Sequence, residues 1–236
     1  MTKILHIETA TQICSVALSE NDEIISSRQS DEKNAHSSIL TVFIDEIFRE
    51  TGVNVHNLDA VSVSMGPGSY TGLRIGVSAA KGLCYAGDKP LIAINTLEAM
   101  AFGMIKMAAG KIEKIADCLF CPMIDARRME VYSAIFNFDL GKIRAVKAEI
   151  IDEQSFAEFL NQSKIVFAGD GAEKCKTPLS ASQNAIFLDD FTPSANYLVS
   201  LANRKFNEND FENVAYFEPF YLKDFIAGPP KVKGLI

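Results

Sequence analysis

Three short stretches of this sequence carry side chains suited to catalysis or ligand binding. Glu8-Thr9-Ala10-Thr11 closes an apolar run with a carboxylate and two hydroxyls, a set that can hold a metal ion and a phosphate. The same atoms can instead satisfy the backbone of a β-turn. Gly169-Asp170-Gly171 is open to the same two readings, a nucleotide-facing turn or a plain strand exit. Gly66-Pro67-Gly68-Ser69-Tyr70-Thr71-Gly72 joins a strand pattern to a helical one, and Ser69 or Thr71 can cap that helix. Its first free N–H groups then face outward, at a corner where α/β proteins often meet a phosphate or another chain. The corner is no common nucleotide fingerprint. Its glycines at 66, 68 and 72 are too widely set for G-x-G-x-x-G, and no Lys follows Gly72 as a P-loop requires.

Metal chemistry finds little support. His6, His36 and His56 form no His-x-x-x-His pair, and His36 reads as a capping or surface residue. Cys118-x-x-Cys121 has a zinc-like spacing but no second pair, and it sits in an apolar strand as buried thiols would. Asp125-Ala126-Arg127-Arg128-Met129-Glu130 reads as a hairpin tip with paired surface charges. Ser69, Tyr70 and Thr71 are nucleophiles by type, yet no His or Lys has a claim as their base.

Two helices must position these groups. From Tyr70 to Tyr85, Gly72, Gly76, Ala80 and Cys84 recur every fourth residue, so one face carries only small side chains. Each mid-helix Gly costs roughly 1 kcal/mol against Ala, which implies a second backbone close by. That backbone belongs either to the helix's own sheet or to a partner. From His36 to Glu50, Ile39, Leu40, Phe43, Ile44, Ile47 and Phe48 sweep a broad apolar arc. Such a surplus fits a neighbouring chain or a deeper core.

The flanking patterns supply an architecture. Strands are predicted at 3–8, 13–18 and 23–28, then a helix, a strand at 58–63, the glycine-faced helix, a strand at 91–94 and a helix at 96–107. This βββαβα order is that of a ribonuclease-H-like unit, the half-module of the actin, sugar-kinase and Hsp70 (ASKHA) architecture. The second half repeats it weakly, with strands at 117–124, 130–138, 143–151, 165–167 and 187–189. A capping box at Ser155-x-x-Glu158 opens a short helix, and a last helix runs from Pro193 to about Phe206 behind a Thr192 cap. The expected division is 1–98 plus about 193–210, a smaller α/β domain at 99–192, and a C-terminal segment at 211–236 with a mobile tail around Gly228-Pro229-Pro230.

Composition bounds the partners. The 236 residues, 48% hydrophobic and 22% charged, suit a soluble globular protein, and a net charge of −7 argues against a large autonomous nucleic-acid surface. No apolar run approaches the roughly 20 residues of a membrane span. Five scattered cysteines and no signal-peptide pattern predict a cytoplasmic protein.

Several segments together resemble one family. Glu8-Thr9-Ala10 with Cys14-Ser15-Val16-Ala17-Leu18, the stretch Gly66 to Gly76, Asp125-Ala126-Arg127-Arg128 with Glu130-Val131-Tyr132, and Pro219-Phe220-Tyr221-Leu222-Lys223 resemble the TsaB (YeaZ-type) proteins, with Glu8 in place of a more usual Asp. The resemblance implies a non-catalytic subunit of the bacterial machinery that installs threonylcarbamoyl on the adenosine beside the anticodon, position 37, of tRNAs reading codons that start with A. It implies docking on a catalytic TsaD-type paralogue, joined by a TsaE-type ATPase, and a homodimer when alone. It further implies tRNA reached only through the complex, and no membrane. The expected interface comprises Gly68, Tyr70, Gly72, Leu73, Gly76 and Ala80 with Leu40, Phe43 and Ile47; Gly76→Leu should abolish docking while sparing the fold. Glu8, Thr9, Thr11, Gly169 and Gly171 are the candidate nucleotide-facing residues. No tightly bound cofactor is expected, with ATP or ADP placed at a subunit interface. An independent ATP-binding enzyme of the actin-like class is the alternative; a metallopeptidase lacks histidine ligands.

Overall fold

The computed structural model describes residues 1–32 and 35–223, built around two five-stranded sheets. In the first, Lys3–Glu8 (β1), Cys14–Glu20 (β2) and Glu23–Ser30 (β3) meander antiparallel. Ala60–Gly66 (β4) and Leu91–Asn95 (β5) then add in parallel beyond β1, giving the order β3-β2-β1-β4-β5. Helices His36–Thr51 (α1) and Tyr70–Gly87 (α2) cover one face, and Thr96–Ala108 (α3) packs on the other. Side-chain alternation divides each strand between the layers: Leu5 and Ile7 meet Leu40, Ile44 and Val77, while Ile4 meets Ala99. With both faces covered, the central strands read as near-continuous apolar runs.

The second sheet repeats the first. Leu119–Asp125 (β6), Glu130–Phe136 (β7) and Lys142–Ile150 (β8) meander, and Ile165–Ala168 (β9) and Ala185–Phe187 (β10) add in parallel beyond β6. Read from the meander, the order β8-β7-β6-β9-β10 matches that of the first sheet strand for strand. The crossover helices have shrunk: Ala157–Leu160 (α4) and Lys176–Leu179 (α5) hold 4 residues each, against 16 and 18 in α1 and α2. Two ribonuclease-H-like half-modules in tandem, the second reduced, make an actin-like (ASKHA) fold. α3 serves both halves, with Leu97, Met100 and Met104 in the second core. Val199–Glu208 (α6) returns to the first sheet, where Leu201 and Ala202 lie beside Ile4 and Ala17.

Three local expectations are corrected. Ser155-x-x-Glu158 forms no capping box, because the Ser155 hydroxyl donates to Asp152 at 2.9 Å and Phe156 turns to φ 62° to pack its ring on Phe167. Ser194, not Thr192, caps the last helical segment: its hydroxyl accepts from Asn196 N–H, while Ala195 N–H donates to Ser15 Oγ at 3.2 Å. The final strand is Ala185–Phe187 rather than 187–189, because its three residues pair with Ile165, Val166 and Phe167 of the parallel β9. The predicted mobile tail at Gly228-Pro229-Pro230 lies outside the described residues.

Candidate functional site

β4 turns into α2 through Gly66-Pro67-Gly68-Ser69, with a cis Gly66–Pro67 peptide. Ser69 caps the helix, accepting from Gly72 N–H at 3.3 Å. The turn after β1 is pressed against this corner. Ser69 N–H donates to the Ala10 carbonyl at 2.6 Å, and the Thr9 hydroxyl donates to the Gly72 carbonyl at 2.9 Å. A Cβ at Gly68, Gly72 or Gly76 would fall 2.1–2.2 Å from the Ala10 carbonyl, the Thr9 carbonyl or Thr9 Oγ1 respectively. Only glycine fits there.

The small-residue face therefore meets this chain's own β1 at Ile7 and the turn that follows it, which corrects its placement as a partner surface. Gly72, Leu73, Gly76 and Ala80 are buried in α2, as are Leu40 and Ile47 in α1. Phe43 is half-buried on the first core. What α1 and α2 leave exposed is another face, with Val42 at 49%, Tyr85 at 88%, and Gly82 with no neighbouring atom within 4 Å of an added Cβ.

Glu8 and Thr9 are turned inward as well, 1% and 0% exposed. Glu8 accepts the Ala10 N–H at 2.6 Å, and burial pushes its carboxyl up to about 7 against the pull of that hydrogen bond. Thr11 Oγ1 accepts from Ile13 N–H at 3.2 Å. These are the bonds of a β-turn, and of Glu8, Thr9 and Thr11 only Thr11 lines a cavity. Gly169, at φ 107°, lies against the Met123 carbonyl, where a Cβ would stand 2.2 Å away, and Gly171 packs on Ile124. Both seat the exit of β9 on β6, and Gly169 also borders a pocket of about 320 Å³. His36 is neither a cap nor a surface residue. Its Nε2 lies 3.0 Å from the Thr11 carbonyl and 3.2 Å from that of Ile13, fastening the β1–β2 turn from below.

Above that turn a cleft of about 1050 Å³ separates the two halves. Its walls are the β1–β2 turn (Thr11, Gln12), the start of α2 (Ser69, Tyr70), the β6–β7 hairpin (Asp125, Arg127) and the C-terminal segment (Phe220, Tyr221). That last wall is strapped on. Glu212 N–H donates to the Leu91 carbonyl at 2.8 Å and Phe220 N–H to that of Met65 at 2.7 Å. Arg74 lies 4.2 Å above the Tyr70 ring and donates through Nε to the Tyr221 hydroxyl at 3.1 Å. Lys223 reaches across to Glu130 of the second half. Arg74 and Tyr221 both stand in segments conspicuous in the sequence, but 147 positions separate them, so nothing local announces the pair.

The hairpin tip departs from the expected pairing of its own charges. Asp125 is taken by Lys174 and Glu130 by Lys223, both from elsewhere in the chain. The Arg127 N–H donates to Asp125 Oδ1 at 3.0 Å, but the guanidiniums of Arg127 and Arg128 stay exposed, without an acidic partner among the described residues. Their backbones hold φ 72° and 49°, a left-handed conformation that costs a bulky residue roughly 1–3 kcal/mol. Among the described residues no group of three His, Cys, Asp or Glu side chains could hold a metal ion, and Cys118 and Cys121 are buried free thiols. No helix among them is long and apolar enough to cross a membrane.

The family model described as "TsaD: tRNA N6-adenosine threonylcarbamoyltransferase" matches residues 23–231. A tRNA threonylcarbamoyladenosine biosynthesis protein TsaB of Haemophilus influenzae is 30% identical over 236 residues, covering 95% of this chain and 94% of that one. The chain belongs to the TsaD family and, within it, to the TsaB (YeaZ-type) proteins. The TsaB of Escherichia coli is 28% identical, with 95% and 96% of the two chains covered. YeaZ from Pseudomonas aeruginosa shares the fold at a TM-score of 0.79 and 24% identity, over 94% of this chain and 100% of its own. The likeness to the transferases themselves is shorter: that of Afipia carboxidovorans is 42% identical over 67 residues, 28% of this chain and 19% of the transferase. Membership of the TsaB family ties this protein to threonylcarbamoyladenosine formation in tRNA.

Proposed function

We propose that this chain is the non-catalytic partner of a TsaD-type transferase in the complex that places threonylcarbamoyl on the adenosine beside the anticodon of tRNA. One observation carries this reading: the chain shares a stretch at 42% identity with a transferase, yet its own Glu8 and Thr9 are spent on a buried turn. A chain built on the same half-module as the catalytic subunit can pair with it through equivalent helices. The docking surface is the exposed side of α1 and α2, around Val42, Gly82 and Tyr85, with Tyr216 adjoining. Gly82 supports this choice. It weakens the helix by roughly 1 kcal/mol against Ala, and no atom of this chain requires it to lack a side chain.

In this reading the same face makes a homodimer when the transferase is absent. A TsaE-type ATPase joins the pair, ATP or ADP sits at a subunit interface, and assembly takes place in the cytoplasm. Light scattering on a size-exclusion column tests it, with the chain alone and then mixed with the TsaD-type protein of the same genome. A heterodimer that replaces a homodimer, and is lost in Gly82→Glu while that variant stays folded, is the expected result. Absence of any complex, with or without nucleotide, overturns it.

A further inference from the structure

We infer that the β6–β7 hairpin tip is an RNA contact, with Arg127 and Arg128 gripping phosphates of the tRNA that the complex modifies. The inference rests on the reading just given and adds a direct role for this chain in holding the nucleic acid.

The tip is the four-residue connection 126–129, closed by Ala126 N–H to the Glu130 carbonyl and Glu130 N–H to that of Arg127. Such positions usually fall to Gly, Asn or Asp, which tolerate positive φ. Here two arginines hold φ 72° and 49° in succession. The hairpin therefore carries local backbone strain, held in part by Asp125 Oδ1, which accepts the Arg127 N–H at 3.0 Å, while neither guanidinium finds an acid among the described residues. The acids within reach are occupied. Asp125 and Glu130 bind Lys174 and Lys223, Asp170 accepts Asp125 N–H, and Asp152 is held by Gln154 N–H and the Ser155 hydroxyl of its own turn.

An arginine fork matches phosphate oxygens in two-pronged geometry, and its charge persists at any physiological pH. Placement adds to the argument. Arg127 lines the 1050 Å³ cleft together with Tyr70 and Tyr221. A net charge of −7 argues against a broad basic surface. Two presented guanidiniums are what such a chain can offer to an RNA already held by a larger assembly.

The test uses Arg127→Asn with Arg128→Gly, which removes both charges while giving the turn residues that fit its φ values. Binding of fluorescently labelled tRNA is read by anisotropy against salt, for the heterodimer carrying wild-type or variant chain. Light scattering on the same samples reports assembly. The expected result is intact assembly, equal or higher thermal stability, roughly tenfold weaker RNA binding at low salt, and a log–log salt slope smaller by about 1.5 to 2. Arg127→Lys with Arg128→Lys should keep most of the slope. An unchanged affinity and slope in an intact heterodimer overturns the inference and leaves the docking reading standing. Loss of assembly in the variant makes the tip a protein contact instead, which also overturns it. If wild type forms no heterodimer, the docking reading falls by itself. The tip is then judged on the chain alone at low salt, where failure to lose affinity overturns it.

Discussion

Thr9 and Gly72 are locked together in both directions: the Thr9 hydroxyl donates to the Gly72 carbonyl at 2.9 Å, and a Cβ on Gly72 would lie 2.1 Å from the Thr9 carbonyl. The glycines of α2 therefore belong to the fold before they belong to any assembly. Gly76→Leu should destabilise the isolated chain by roughly 3 kcal/mol or more through overpacking. Gly82→Ala, in open space, should stabilise it by up to about 1 kcal/mol. Thermal unfolding followed by circular dichroism compares the two. A Gly76→Leu protein with wild-type stability would contradict the packing described here.

Two buried groups set opposing pH dependences. His6 hydrogen-bonds Ser62 and Ser19 inside the first sheet, and burial lowers its imidazole to about 3 from 6.5. It stays neutral in the fold, so unfolding takes up a proton below pH 6.5 and stability falls from there down to about 3. Glu8 is raised to about 7 from 4.5, so unfolding releases its proton, and stability falls as pH rises through that window. Between 4.5 and 6.5 the two slopes cancel, leaving a plateau with acid unfolding below it. Glu8→Gln should remove the plateau, so that stability declines steadily from pH 6.5 downward, and gain on the order of 3 kcal/mol above pH 7 relative to wild type. Urea titrations across pH 4 to 8 would read both effects.

The thiols are protected. Cys14 and Cys84 are pushed up to about 12 and Cys175 to about 11 by burial, and Cys121 higher still. All five cysteines are buried and unpaired. A thiol reagent at pH 8 should label none of them quickly in the native protein and all of them in urea. Rapid labelling of one site under native conditions would mark a locally opening segment.

The strap over the cleft depends on Arg74. Arg74→Ala removes its bond to Tyr221 and its place above the Tyr70 ring, and should speed hydrogen exchange at the Phe220 amide by roughly tenfold. Tyr221→Phe, which keeps the ring and loses only the hydroxyl, should give a smaller increase. Equal protection in all three proteins would mean that the Phe220–Met65 bond alone holds the segment.

Much of the architecture is readable in the chain because the two half-modules bury both faces of their central strands, so continuous apolar runs mark them. The register of α2 was legible too, down to the glycines every fourth residue. What the small face packs against was not, since an intramolecular and an intermolecular neighbour demand the same side chains. His36 was misread because its partners are carbonyls at Thr11 and Ile13, and a backbone acceptor leaves no trace in composition. The charges of the hairpin tip were assigned to one another by proximity, whereas Lys174 and Lys223 arrive from distant segments and leave the arginines free.

The bridge between Glu212 and Leu91 has a consequence for synthesis on the ribosome. The outer edge of β5 is covered only when the segment around Glu212 emerges, roughly ten seconds after β5 at common elongation rates. Through that interval the nascent first sheet presents an apolar strand with unmatched amides, the kind of edge that recruits chaperones or neighbouring chains.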